Sequence, residues 1–141
     1  MEETGSAINY LTKGFLIETN ITHILEDEEC PDKRFAGKIH NHDSLEYLIE
    51  IVKNDAYFSS IEEKAAQYCF KIITDHVFVD ANKRTGCTSI LAFVTKNGAY
   101  FRRLPDGLMI NIATSIAKNT MAYEELVQVI AARIRYKKHR R

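Results

Sequence analysis

One stretch of the chain gathers its most chemically versatile side chains: His76-Val77-Phe78-Val79-Asp80-Ala81-Asn82-Lys83-Arg84-Thr85-Gly86. It holds an imidazole, a carboxylate, an amide, an ammonium and a guanidinium. The stretch leads into a new helical pattern, and the first turn of a helix leaves backbone N–H groups unpaired, which suits phosphate oxygens. Lys83 and Arg84 add positive charge there, and a guanidinium can fork onto two oxygens. Asp80 is a hard oxygen donor suited to Mg2+, which takes one or two carboxylates and completes its shell with phosphates and water. His76 is the group whose ordinary pKa lets it accept a proton at neutral pH. These are the parts of phosphoryl or nucleotidyl transfer. Polar clusters also cap helices, and His76 alone could simply close a helix ending near Asp75.

The elements that must position this stretch are helical. Two prolines and six glycines in 141 residues leave little room for the many tight turns of a sandwich or barrel. Residues from about Ile8 to Leu25 have apolar spacing that suits one or two helices, followed by a charged loop from Glu26 to Asp32. Asp43 with Glu46 reads as a helix start, and Leu45, Leu48, Ile49 and Val52 continue it at helical spacing. Ser60 and Glu63 repeat the signal, before an apolar face that runs from Ile61 to Ile73 and ends near Asp75. Beyond the polar stretch, Cys87, Ile90, Leu91 and Val94 mark a third face, stopped by Asn97-Gly98. Pro105-Asp106 should open a fourth helix, and Tyr123 to Ile134 describe a fifth that begins in glutamates and ends in arginines. Only Phe35 to His40 and Ala99 to Leu104 read as short extended pieces. The expectation is an all-α bundle with one short β-hairpin.

Length and composition agree with one folded domain: 45% hydrophobic and 27% charged residues are far from a disordered mix. Cys30, Cys69 and Cys87 are an odd number without a Cys-x-x-Cys pair, which argues against a disulfide framework or a cysteine zinc site. No run of 18 apolar residues exists, and Met1-Glu2-Glu3-Thr4 is acidic where a signal peptide would be basic, so the cytoplasm is expected. The 19 basic and 19 acidic residues balance, yet six Lys/Arg and no acid lie from Arg133 onward. That basic tail could meet nucleic acid or an acidic partner, but a solvated helix end explains it more simply. With zero net charge, dedicated DNA binding is not expected.

The polar stretch resembles the signature of the Fic/Doc (death-on-curing) family, His-x-Phe-x-Asp/Glu-Gly/Ala-Asn-Gly/Lys-Arg. Its fixed positions are met by His76, Phe78, Asp80, Ala81, Asn82, Lys83 and Arg84. The likeness runs from about Phe35 to Ile134, which suggests a catalytic domain over 35–134, a helical extension over 1–34 and a basic tail over 135–141. The resemblance implies His76 as general base, Asp80 as the Mg2+ ligand, and Asn82, Lys83, Arg84 and Thr85 at the nucleotide. Phe78 is then a core anchor. Lys83 stands where adenylylating Fic proteins have Gly, and Cys87 where they have a second Arg, which places the chain nearer the Doc branch. That branch implies a toxin of a toxin–antitoxin pair, transferring the γ-phosphate of ATP to a hydroxyl of a target protein, elongation factor Tu being the Doc-type target. The alternatives are AMP transfer to Ser, Thr or Tyr by the same site, and a catalytically silent interaction module.

Lys38 to His42 lies where the family has a flap that pairs with the target's backbone, so Lys38, Ile39 and His40 are candidates for substrate docking. His40 and His42 could pair on a metal if extended, although no companion cluster accompanies them, and Tyr100 to Arg103 reads as packing plus solvated charge. Ser59 to Glu63 and Thr120 to Glu124 approach the family's inhibitory pattern Ser/Thr-x-x-x-Glu-Gly/Asn, but Lys64 and Glu125 follow. The resemblance therefore implies control in trans by an antitoxin.

Overall fold

The computed structural model describes residues 7–29 and 32–137. The acidic start Met1 to Thr4, Cys30 and the last four residues of the basic tail lie outside the described residues. Six helices run in the order α1 (Lys13–Glu26), α2 (His42–Ile51), α3 (Ile61–Thr74), α4 (Asn82–Lys96), α5 (Leu108–Ala117) and α6 (Tyr123–Arg133). The chain is mainly helical, with one small antiparallel pair, β1 (Ala99–Phe101) and β2 (Ile134–Tyr136). Tyr100 faces Arg135 in its register.

Helices α3 and α4 form the centre. Ala65, Cys69, Ile72 and Ile73 of α3 meet Ile90, Phe93 and Val94 of α4, all buried. The α4 backbone can lie this close because residue 86 is Gly: a Cβ there would stand 3.1 Å from Cys69 Sγ and 3.2 Å from Ile73. Helix α3 starts where Ser60 and Glu63 foretell, with both halves of the capping box formed. Glu63 is thereby spent on the cap, accepting from the N–H groups of Ser59 and Ser60, which matches the reading of Ser59 to Glu63 as an ordinary helix start.

Four local expectations are corrected. The cap of α2 is Asn41, whose Oδ1 accepts from the Ser44 N–H, so Asp43 lies inside the first turn instead of before it. Pro105-Asp106 does not open α5; Pro105 accepts from the Leu108 N–H in a turn, and Gly107, at φ 79°, precedes the helix. Residues 33–35 form a 3-10 turn, so the extended piece expected from Phe35 begins only near Ile39, which makes a single antiparallel bridge with Phe78. The tail is no helix end at its start: α6 stops at Arg133, and 134–136 pair with β1 as a strand.

The N-terminal segment is strapped to the α3–α4 pair. Tyr68 Oη, fully buried, accepts from the Leu11 N–H at 3.0 Å. Asn9 and Asn97 bond reciprocally through backbone and side chain at 2.8 and 3.0 Å. Thr12 then caps α1, which crosses α4.

Candidate functional site

Between α3 and α4 the chain makes a compact loop built on the motif. Asp75 ends α3, and His76 turns the chain with φ 49°, a left-handed conformation that costs a non-glycine residue about 1–2 kcal/mol. Val77 and Phe78 then drop into the core, as expected of a Phe78 anchor. Asn82 fixes the loop from below: its Oδ1 accepts from the Phe78 N–H at 2.9 Å and its Nδ2 donates to the Phe78 carbonyl at 2.8 Å. Ala81 takes the left-handed conformation, φ 62°, with its N–H on Asp80 Oδ1 at 2.7 Å.

This turn delivers an uncapped helix. Thr12, Asn41 and Ser60 satisfy the first turns of α1, α2 and α3 through their side chains, whereas Ala81 has none to offer α4. The N–H groups of Asn82, Lys83 and Arg84 have no acceptor among the described residues, the first intrahelical bond running from Thr85 to Ala81. Three donors and the positive end of the helix dipole therefore face outward together.

What they face is a cavity of about 360 Å3, which brings together His76, Asp80, Asn82, Lys83 and Arg84. Ile73 of α3 and Ile110 and Ala117 of α5 supply its apolar wall. His76, Asp80 and Lys83 are exposed, and Lys83 forms no ion pair among the described residues. Thr85 is not on this surface: it is fully buried, and its hydroxyl accepts from Asn20 Nδ2 at 3.1 Å.

Arg84 lines the cavity but is turned toward α1. Its guanidinium bonds the His23 carbonyl at 3.2 Å and Asp27 Oδ2 at 3.1 Å, using the negative end of α1. His23 bonds Thr88 through Nε2 at 2.7 Å, and burial together with the Arg84 charge holds its pKa below the usual imidazole value.

The three flap candidates run antiparallel to the motif. Lys38 accepts from the Val79 N–H at 3.0 Å, and the His40 N–H donates to Val77 at 2.7 Å. His40 Nδ1 sits 3.0 Å from the His76 carbonyl, tying the flap to the residue expected to be the base. Ile39 points its N–H and C=O the other way, with no partner among the described residues. His40 and His42 gather no further ligands; among the described residues no three His, Cys, Asp or Glu come together as a metal site.

Asn20, unmarked in the sequence reading, ties these parts together. Fully buried on α1, it donates to the Asp80 carbonyl at 2.8 Å and to Thr85, and accepts from the Gly37 N–H at 2.9 Å. The one clue in the sequence is a polar side chain on the apolar face between Leu16 and Ile24.

A Fic/DOC family model matches residues 22–94, more than half of the chain, and the chain belongs to the Fic/Doc family. The match takes in the end of α1, the flap residues, the whole motif and most of α4. This is a family of transferases that act on nucleoside triphosphates. No curated protein matches the chain. Among the described residues, no helix is long and apolar enough to cross a membrane.

Proposed function

We propose that the protein is a Doc-like toxin that transfers the γ-phosphate of ATP to a hydroxyl of a target protein in the cytoplasm, under control of an antitoxin supplied in trans. The observation that carries this reading is the uncapped start of α4, which opens with Lys83 into the same cavity as His76 and Asp80. Three N–H donors and an ammonium without an ion pair among the described residues form a preorganised anion site, and such a site stabilises charge on a transferring phosphoryl group without reorganising.

His76 takes the proton from the target hydroxyl as its oxygen attacks the γ-phosphorus, and ADP leaves. Exposed at the rim beside the flap, it can reach a bulky protein substrate. Asp80 offers one carboxylate at the cavity, a donor set that fits Mg2+, whose remaining positions go to phosphates and water. Bound there, Mg2+ would supply charge neutralisation on the phosphates. Asn82 serves by holding the loop, and Thr85 by fixing α4 to Asn20; neither need touch the nucleotide. Ile110 and Ala117 give an apolar wall for a flat base. The open edge of Ile39 suits a target backbone added as a strand, with Lys38 and His40 flanking it.

The test is incubation with Mg2+, a cell lysate and ATP labelled at either the γ- or the α-phosphate, with His76→Ala as control. Transfer of γ-label alone, abolished in the variant, is the expected result. Transfer of α-label would move the protein to the adenylylating branch, and transfer of neither would favour an interaction module. Elongation factor Tu is the first purified target to offer.

A further inference from the structure

The basic residues near the end of the chain take no part in the transfer just proposed, and the fold gives them a setting that a solvated helix end does not. Helix α6 stops at Arg133, and Ile134 to Tyr136 run on as β2 against β1. The Lys137 N–H adds a further rung, donating to the Gly98 carbonyl at 2.9 Å. Residues directly opposite in an antiparallel pair share a face, and neighbours along a strand alternate between faces. Ala99, Phe101 and Ile134 therefore turn inward, with Ala99 and Ile134 buried, while Tyr100 and Arg135 stand opposite one another on the outer face, both exposed. Arg102 and Arg103, also exposed, leave β1 at one end of this ribbon, and Lys137 marks the other.

The surface differs from ordinary solvated charge. Neither 99–104 nor 133–141 contains an acid, and among the described residues none of Arg102, Arg103, Arg135 and Lys137 forms an ion pair. The zero net charge of the chain thus hides an uneven distribution. Tyr100, 44% exposed, has no hydrogen-bond or ring partner among the described residues, whereas Tyr136, on the inner-facing register, donates its hydroxyl to Glu62 at 2.9 Å. The ribbon is also remote from the motif. The motif opens α4 and the ribbon follows its other end, 15 residues or about 22 Å along the helix.

We propose that the outer face of the β1–β2 ribbon binds single-stranded RNA, with a base stacked on Tyr100 and the neighbouring phosphates held by Arg135, Lys137 and the Arg102-Arg103 pair. Cross-strand neighbours have Cβ atoms about 4.5–5.5 Å apart, so the Arg135 cation stands beside the ring that takes the base. A guanidinium can fork onto two phosphate oxygens. An acidic polypeptide would use the cations and leave the exposed ring idle, whereas every base has a face to stack on it. A duplex keeps those faces inside its own stack, so a single strand is the fit. The Tyr100 hydroxyl offers both a donor and an acceptor to a ribose 2′-OH, which favours RNA over DNA.

The full chain is titrated into a fluorescein-labelled oligouridylate of about twelve nucleotides and followed by anisotropy. Micromolar affinity is expected, with log affinity falling against log salt at a slope of about −2 to −3, as three or four phosphate contacts give. Tyr100→Ala should weaken binding about tenfold, and Tyr100→Phe, which keeps the ring, should lose less. Arg135→Gln with Lys137→Gln should make the salt slope shallower by about 1.4. Far-ultraviolet ellipticity and Tm establish that each variant is folded; should Tyr100→Ala fail this check, Tyr100→Phe and the double charge variant carry the test. No binding at low salt, or full affinity in a folded Tyr100→Ala, would overturn the proposal. A deoxythymidylate of equal length bound as tightly would overturn the choice of RNA, and a polyglutamate peptide bound as tightly would make this a surface for an acidic protein instead. None of these residues lines the motif cavity, so failure of the nucleotide reading leaves the outcome here unaffected.

Discussion

Arg84 lines the cavity and also has partners on α1 that its position in the motif does not announce. The sequence reading puts it on phosphate; the structure puts it on Asp27 and the His23 carbonyl at the end of α1. On the proposed nucleotide reading the Asp27 carboxylate and a phosphate would compete for one guanidinium, so Asp27→Asn should tighten Mg·ATP binding about two- to fivefold, the scale of a partly exposed ion pair. Calorimetry decides it, and weaker binding would mean that Asp27 orients Arg84 for the phosphate. His23 carries a pH dependence. Its folded pKa is lowered below the ordinary 6.5 by burial and the Arg84 charge, so the unfolded chain binds its proton first on acidification. The stability this group contributes is present above pH 6.5 and lost as pH falls through its lower folded value. Thermal melts from about pH 7.5 to about pH 5 should show that loss, and His23→Gln should flatten it. At this scale the sequence was legible where one motif holds the chemistry: His76, Asp80, Asn82, Lys83 and Arg84 do share one cavity. Asn20, His23 and Asp27 were not legible, because nothing local announces that α1 docks beside a loop some sixty residues away.

Among the elements, α3 and α4 decide the site, and the gap between them is set by Gly86. Gly86→Ala drives a methyl against Cys69 Sγ and Ile73, and this overpacking should cost about 1–3 kcal/mol in urea unfolding, with loss of the proposed transfer since the proposed anion site opens α4. Unchanged stability would mean that the helices slide apart freely. Where an element has a local signal it could be read ahead of the structure: the Ser60–Glu63 box starts α3, and Asn97-Gly98 ends α4, with Gly98 at φ 78°. Where two polar residues compete for a cap, spacing could not choose, so Asn41 displaced Asp43. Strand β2 escaped notice because three residues are too few for a period and its pairing partner lies beyond two helices.

Across the whole molecule, stability depends on the N-terminal strap. Tyr68→Phe removes the buried hydroxyl that serves Leu11 and should cost about 1–3 kcal/mol, read as a lower Tm. A melt indistinguishable from that of the unaltered chain would show the strap to be idle. The all-α architecture was legible from periodicity, whereas the packing of α1 on α4 was not, since an apolar face states only that something covers it. The Asn20 hub has a kinetic consequence. Helices α3 and α4 are neighbours in sequence and can pair early in folding, but the carbonyl of Asp80 and the hydroxyl of Thr85 find their partner only when α1 arrives across separations of 60 and 65 residues. The motif loop is thus among the last parts to take its native shape. In refolding, far-ultraviolet ellipticity should recover before the chain regains the capacity to bind nucleotide, and Asn20→Ala should widen that delay.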